Sequence, residues 1–381
     1  MKIINRSGGL FFMIFMLGAC VEPYDPPLKY SDVNYLVVDG FLSSSEGYAT
    51  VRLTRTLPVK SGEAIPAESG AMVRLEDELG AVFPLSETQS GVYQGNVSGV
   101  TPENRYRVVI RTKDNREYTS DLVVVMEAPA IDSLHYSFLD DGVEFAVTTH
   151  DPTGAARHYR WDYVETYEYN SNFNSLFKFT PIGVEFRHPS ESIYTCWRTN
   201  ESTGLLVTTT KHLDEAVVSN FPITFIPKGS IKLSVKYSLL VKQQALTEEA
   251  YDYWLNLQKT TEQLGGLFDP LPSEVLGNIR GITNPGEKVI GFFSAGSVQE
   301  SRIFLRRGEF PKHMIVIYNN PSCMLDTVAI PDLPGVFTDF VLLVDAIYAP
   351  GAGIVAYTTS QISCVDCRTF GGTRDRPSFW E

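Results

Sequence analysis

From residue 34 to about residue 127 the chain alternates apolar and polar positions in short runs divided by turn residues. "GYATVRLTRT" shows the period. Val51, Leu53 and, less cleanly, Arg55 alternate with Thr50, Arg52 and Thr54, as in a strand with one buried face. "YLVVDGFL", "AMVRLEDELGAVFPLSE", "GVYQGNV", "RYRVVIRT" and "EYTSDLVVV" continue the pattern, with hairpin turns at Glu78-Leu79-Gly80 and Lys113-Asp114-Asn115-Arg116. About six or seven strands in this span predict an immunoglobulin-like β-sandwich over 34–127. The inter-sheet cysteine pair of antibody domains is absent, so the expectation concerns architecture only. "MEAPAIDSLHY" reads as a linker into a larger β-rich domain over 131–381, with turns at Asp140-Asp141-Gly142 and Asp151-Pro152. One helix interrupts that domain near 247–264. Thr247 is its N-cap, Glu248 and Glu249 fill its first turn, and Gly265-Gly266 ends it. Ala250, Trp254, Leu257 and Thr261 mark one helical face, flanked by Leu246, Tyr253 and Leu264. "EKVIGFFSAGSVQESRIFLRR" then resumes the strand pattern, and the fold class is mainly β.

The N-terminus departs from this pattern. Lys2 and Arg6 precede the eight-residue apolar run "LFFMIFML", too short to span a membrane but suited to a signal peptide. Leu17-Gly18-Ala19-Cys20 resembles the lipobox of bacterial lipoproteins. Residues 1–19 are therefore expected to be a signal peptide, and Cys20 the acylated first residue of the mature chain. The plainer alternative is an ordinary secretory signal with an incidental cysteine. Residues 20–33, an acidic, proline-rich stretch, read as a semi-rigid tether. The acids after Cys20 resemble the export signal of Bacteroidota surface lipoproteins, which implies an outer-membrane location, on the cell surface rather than the periplasmic face.

Charge narrows the partners. The chain carries 32 basic and 45 acidic residues, a net of −13. Removing residues 1–19 takes away two basic residues and no acids, for a mature net of −15. So acidic a balance argues against recognition of a nucleic-acid backbone and against a polybasic membrane surface. Four cysteines follow Cys20: Cys196, Cys323, Cys364 and Cys367. An even number in an exported chain favours structural disulfides, with three pairings open. Cys364 and Cys367 also have the spacing of half a zinc site or a redox pair, but lie in a glycine- and proline-rich tail.

Candidate chemistry is sparse. In "YRWDYVETYEY", Trp161, Tyr163, Glu165, Tyr167 and Tyr169 fall on one strand face. An aromatic face with one carboxylate could stack sugars or clamp a peptide, but aromatic strands are usually packed, and the core of a sandwich is the favoured reading. The six histidines show no metal-ligand spacing. Carboxylates such as Asp140, Asp141, Glu165 and Glu168 are too many for any pair to stand out as a glycosidase dyad. No nucleophile elbow or phosphate loop is present, so the sequence calls for no catalytic residue, metal or cofactor.

The stretches "CVEPYDPP", "YLVVDGFL", "VRLTRT", "THDPT", "YRWDYVETYEY", "SLLVKQQALTEEAYDYWLNLQKTTEQLGGLFDPLPSEVLGNI" and "CVDCRTFGGTRDRPSFW", in that order, resemble a Bacteroidota lipoprotein family known as domain of unknown function 4249. The resemblance implies an outer-membrane lipoprotein encoded near TonB-dependent receptors, with no catalytic residues to carry over. The first expectation is thus a non-catalytic accessory or ligand-binding partner of a TonB-dependent transporter. Its contact surface would be the Trp161–Tyr169 strand and the segment from Phe268 to Gly286. Alternatives are a surface adhesin or glycan-binding lipoprotein, and a carboxylate-based hydrolase.

Overall fold

In the computed structural model, residues 34–57, 64–262, 275, 277–312, 321–336 and 339–380 are described. The expected signal peptide, Cys20 and the tether lie outside them.

The first strands follow the alternation. β1 (Leu36–Ser43) and β2 (Tyr48–Arg55) pair antiparallel and bury Leu36, Val38 and Leu42 with Ala49, Val51 and Leu53. Arg55 keeps the inward phase, and its Nε donates to Glu68 at 2.6 Å. β3 (Met72–Asp77), β4 (Val82–Gln89), β5 (Val92–Asn96), β6 (Arg105–Arg111), β7 (Glu117–Ser120) and β8 (Val123–Met126) extend the ladder. The two hairpin turns stand where the sequence places them, with Gly80 at φ 90° and Asn115 at φ 64°.

This ladder closes on itself. Its order runs β6-β3-β4-β5-β2-β1, then the strand Val289–Gly296, then β8, which meets β6 at Arg105 opposite Val124. An eight-stranded barrel therefore takes the place of the expected immunoglobulin-like sandwich. The reason is edge satisfaction. A sandwich would leave β1 and β8 with rows of unpaired amides, and Val289–Gly296 runs parallel to both and pairs with both. Gly291 permits the close seam: its φ is 129°, and a Cβ there would lie 1.8 Å from the Val38 carbonyl oxygen.

Beyond the barrel come β9 (Ile131–Leu139), β10 (Gly142–His150), β11 (His158–Asn170), β12 (Phe177–Thr180), β13 (Gly183–Phe186), β14 (Thr195–Glu201), β15 (Leu206–Thr209), β16 (Val217–Pro227) and β17 (Lys236–Leu246). Helix α1 (Glu248–Glu262) follows, then β18 (Ile279–Gly281), β19 (the barrel strand), β20 (Val298–Arg306), β21 (Asp326–Ala329), β22 (Val341–Ala349) and β23 (Gly353–Gln361). The sheet β16-β10-β9 and the sheet β14-β11-β17-β20 share one core, to which Phe145 and Val147 contribute from the first and Trp161, Tyr237 and Val241 from the second. Face-to-face sheet packing is thus found in this region rather than in residues 34–127.

Thr247 caps α1 through its Oγ1, which accepts from the Ala250 amide at 3.2 Å. Ala250, Tyr253 and Trp254 pack against Leu246, Val207 and the barrel residue Phe292. Thr261, expected on this face, is exposed and bonds back to the Leu257 carbonyl. The expected glycine stop lies outside the described residues. No helix is long and apolar enough to cross a membrane among the described residues.

The last strands form a small sheet, β21-β23-β22, whose core of Val328, Leu333, Leu343 and Tyr357 takes in Phe177 and Val184 of the β12–β13 hairpin. Two disulfides fix this end: Cys196–Cys367 and Cys323–Cys364. Cys364 and Cys367 therefore bond to different partners and form neither a redox pair with each other nor half a zinc site.

Candidate functional site

β11 carries the aromatic stretch, and its alternation is real. Trp161, Glu165, Tyr167 and Tyr169 are buried and Tyr163 is half-buried. At the Trp161 end the face is core. The indole stacks on Phe221 at 4.6 Å, and its Nε1 donates to Gln243 Oε1 at 3.0 Å. Trp161→Ala is expected to cost roughly 3–4 kcal/mol in chemical denaturation, through the cavity and the Gln243 acceptor left behind. A variant as stable as the parent would remove this residue from the core.

The Glu165 carboxylate is tied up by the protein itself. It accepts from Asn200 Nδ2 at 2.9 Å and Tyr237 hydroxyl at 3.0 Å, and pairs with Lys232 Nζ at 2.6 Å. Burial, and then the neighbouring Glu165 charge, push the Tyr237 phenol well above its ordinary range and keep it a donor. Three donors from β14, β17 and the turn Ile231–Leu233 thus converge on one β11 carboxylate and fix the spacing of those elements.

That spacing leaves a cleft at the far end of β11. Tyr167, Tyr169, Arg198, Ile231, Thr369, Phe370 and Gly371 line it, around a volume of about 410 Å³. Two of the five residues proposed from the aromatic stretch therefore reach a cleft; Trp161, Tyr163 and Glu165 do not line it. The far wall is the tail, and several ties hold it. Tyr169 hydroxyl donates to the Cys367 carbonyl at 2.8 Å, the Cys196–Cys367 disulfide bonds the tail to β14, and Trp197 and Thr373 exchange backbone hydrogen bonds at 2.8 and 2.9 Å. Arg198 spans the cleft edge, donating from Nη1 to the Phe370 carbonyl at 2.8 Å and from Nε to Asn200 Oδ1 at 3.3 Å. The sequence reading missed Arg198, Ile231 and the Thr369–Gly371 wall. The usable signal was Cys196, two residues before Arg198, once its partner Cys367 is known.

Asp366 caps the tail turn, accepting from the Arg368 amide at 2.9 Å and meeting its guanidinium at 2.6 Å. Burial alone would raise its pKa. The Arg368 side chain and amide outweigh that, and hold the carboxyl below its ordinary value of 3.8. A depressed carboxyl pKa stabilises the folded chain above the unfolded value, and the contribution is lost as pH falls through the folded one. Acidification below about pH 3.8 is therefore expected to release the tail turn, read as faster hydrogen exchange at the Arg368 and Thr369 amides. Asp366→Asn should remove that acid step; if it persists, another group is responsible.

Other expected contacts fall elsewhere. The described part of the Phe268–Gly286 segment includes β18, which pairs with β7 beside the barrel, and the rest lies outside the described residues. His150 Nδ1 sits 2.7 Å from Asp132 on the surface. Among the described residues no three His, Cys, Asp or Glu side chains group so as to hold a metal ion. A second cleft of about 380 Å³ at the barrel is lined by Asn34, Arg55, Glu68, Lys113, Asp114 and Arg116. Its charges largely cancel in place, Arg55 against Glu68 at 2.6 Å and Arg116 against Asp114 at 2.8 Å.

Residues 21–302 match the family model described as domain of unknown function (DUF4249). The chain belongs to this family. Within the family match lie Tyr167, Tyr169, Arg198 and Ile231, whereas the tail wall at Thr369–Gly371 lies beyond it. No curated protein matches the chain in sequence. Among solved structures it is similar to a chain described as "Complete structure of manganese lipoxygenase of Gaeumannomyces graminis and partial structure of zonadhesin of Komagataella pastoris". Identity is 11%, the match covers 58% of this chain and 91% of that chain, and the TM-score is 0.17. That likeness is too slight to assign a fold.

Proposed function

We propose that this DUF4249 protein is a non-catalytic outer-membrane lipoprotein, acylated at Cys20 and facing the cell surface, that serves a TonB-dependent transporter as a ligand-binding accessory. One observation carries the binding role: the Tyr167–Arg198 cleft, whose walls are held in place by a disulfide, a backbone bridge and a buried carboxylate network. Walls fixed in this way lose little conformational freedom when a ligand arrives. The lipobox-like Leu17-Gly18-Ala19-Cys20 supports the anchor, and resemblance to lipoproteins encoded near such receptors supports the partner.

The test is affinity purification of the tagged protein from detergent-extracted outer membranes. A TonB-dependent receptor recovered in equal amount supports the accessory role, and a Cys20→Ser variant should leave the membrane fraction. Recovery of the lipoprotein alone would overturn the transporter partnership and favour the adhesin reading.

A further inference from the structure

Several arginines of the barrel meet carboxylates: Arg74 and Arg107 pair with Glu76, Arg105 with Glu78, and Arg116 with Asp114. In the tail turn Arg368 likewise pairs with Asp366, but three neighbouring arginines are held differently. Arg198 is held by the Phe370 carbonyl and the Asn200 amide oxygen. Arg374 donates to the Ser190 and Ser192 carbonyls at 3.4 and 3.3 Å, and Arg187 donates to Ser175 Oγ at 3.3 Å. None of the three forms an ion pair among the described residues. Neutral acceptors orient a guanidinium without cancelling its charge, so these side chains keep their positive field in a chain of net −13. Burial pushes the Arg187 pKa down, and the Glu191 and Asp366 carboxylates oppose this more strongly than the Arg368 and Arg374 charges add to it.

Arg198 differs from the other two because it borders the cleft. Its Nε and Nη1 are committed, and Nη2 has no protein acceptor among the described residues. The cleft is also lined by Ile231 and Phe370, both half-buried, and by the buried Tyr167 and Tyr169. A guanidinium beside apolar walls matches one chemical class, an organic acid whose carboxylate takes the charge while its body stays dry.

We propose that the cleft binds a small organic carboxylate, with Arg198 as the anion contact and Ile231 and Phe370 as the apolar bed. The inference rests on the reading of this protein as a ligand binder, and names what it binds. Its test uses the purified full chain and calorimetric titration with sodium benzoate and D-glucuronate, against the neutral benzamide and D-glucose, with inorganic phosphate as a third anion. At least one carboxylate should bind while its neutral counterpart does not. Arg198→Gln should weaken that binding about tenfold or more, the loss of one charge-assisted contact. Arg198→Lys should retain part of it, and Arg280→Gln, on β18 beside the barrel, should change nothing. Should Arg198→Gln disturb the circular dichroism spectrum, Arg198→Lys and the neutral counterparts carry the test.

Binding of neither carboxylate, equal binding of the neutral compounds, phosphate binding alone, or full binding by Arg198→Gln would each overturn the proposal. The two readings fail separately. A protein that recovers no receptor yet binds benzoate through Arg198 loses the transporter partnership and keeps its ligand class, and a protein that recovers a receptor but binds no carboxylate does the reverse.

Discussion

Replacing Cys196 and Cys367 together by alanine is expected to lower the unfolding free energy by about 5 kcal/mol and to open the cleft. The two cysteines are 171 residues apart in sequence, and loop-closure entropy gives about that magnitude for a loop of this length. The Cys323–Cys364 bond spans 41 residues and should cost less, about 4 kcal/mol by the same relation. The cleft separates the two more sharply than stability does. Only the first bond joins β14, which carries Arg198, to the turn that carries Phe370. Denaturant unfolding of both double variants, with hydrogen exchange at residues 367–373, tests this. Equal exchange in the two variants would mean that the hydrogen bonds of Tyr169 and Trp197 hold the tail without the disulfide.

Gly291→Ala is the second large effect, at about 4 kcal/mol or more. Its φ of 129° excludes a side chain, and the new Cβ would sit 1.8 Å from one backbone oxygen of β1. Gly277 crowds the same residue, since its own Cβ would meet the Gly291 oxygen at 1.5 Å, so the backbone around Gly291 has little room to shift. Pairing of β19 with β1 should fail, read as loss of protection at the amides of both strands. Gly308→Ala is the control, since nothing lies within 4 Å of a Cβ there. If Gly291→Ala melts like the parent, the seam tolerates a displacement that the close packing denies.

Local features were legible in the sequence. The alternation in "VRLTRT" placed Val51, Leu53 and even Arg55 inward, and Thr247 marked the helix start, because these signals depend on a residue and its near neighbours. Barrel closure was not legible. The alternation of "VIGFFSAG" announces a strand but not its partners, and β1 and β8 are its partners only because both would otherwise keep an open edge. The aromatic stretch was half legible. Its two faces were read correctly, but one strand serves the core at Trp161 and a cleft at Tyr167, and what separates them is a tail about 200 residues away in sequence, as the Tyr169–Cys367 hydrogen bond shows. Arg198 carried no local mark; a pairing of cysteines had to bring the wall to it.

The seating of β19 between β1 and β8 also sets a timetable. A chain is made from its N-terminus, so seven barrel strands emerge well before the eighth, which ends at Gly296. Through that interval two margins stand open, each a template for pairing with another chain. The portion delivered first is therefore the portion sealed late, and a fragment stopped before residue 289 never seals. Interrupted synthesis thus exposes this protein to aggregation without any need for heat or denaturant.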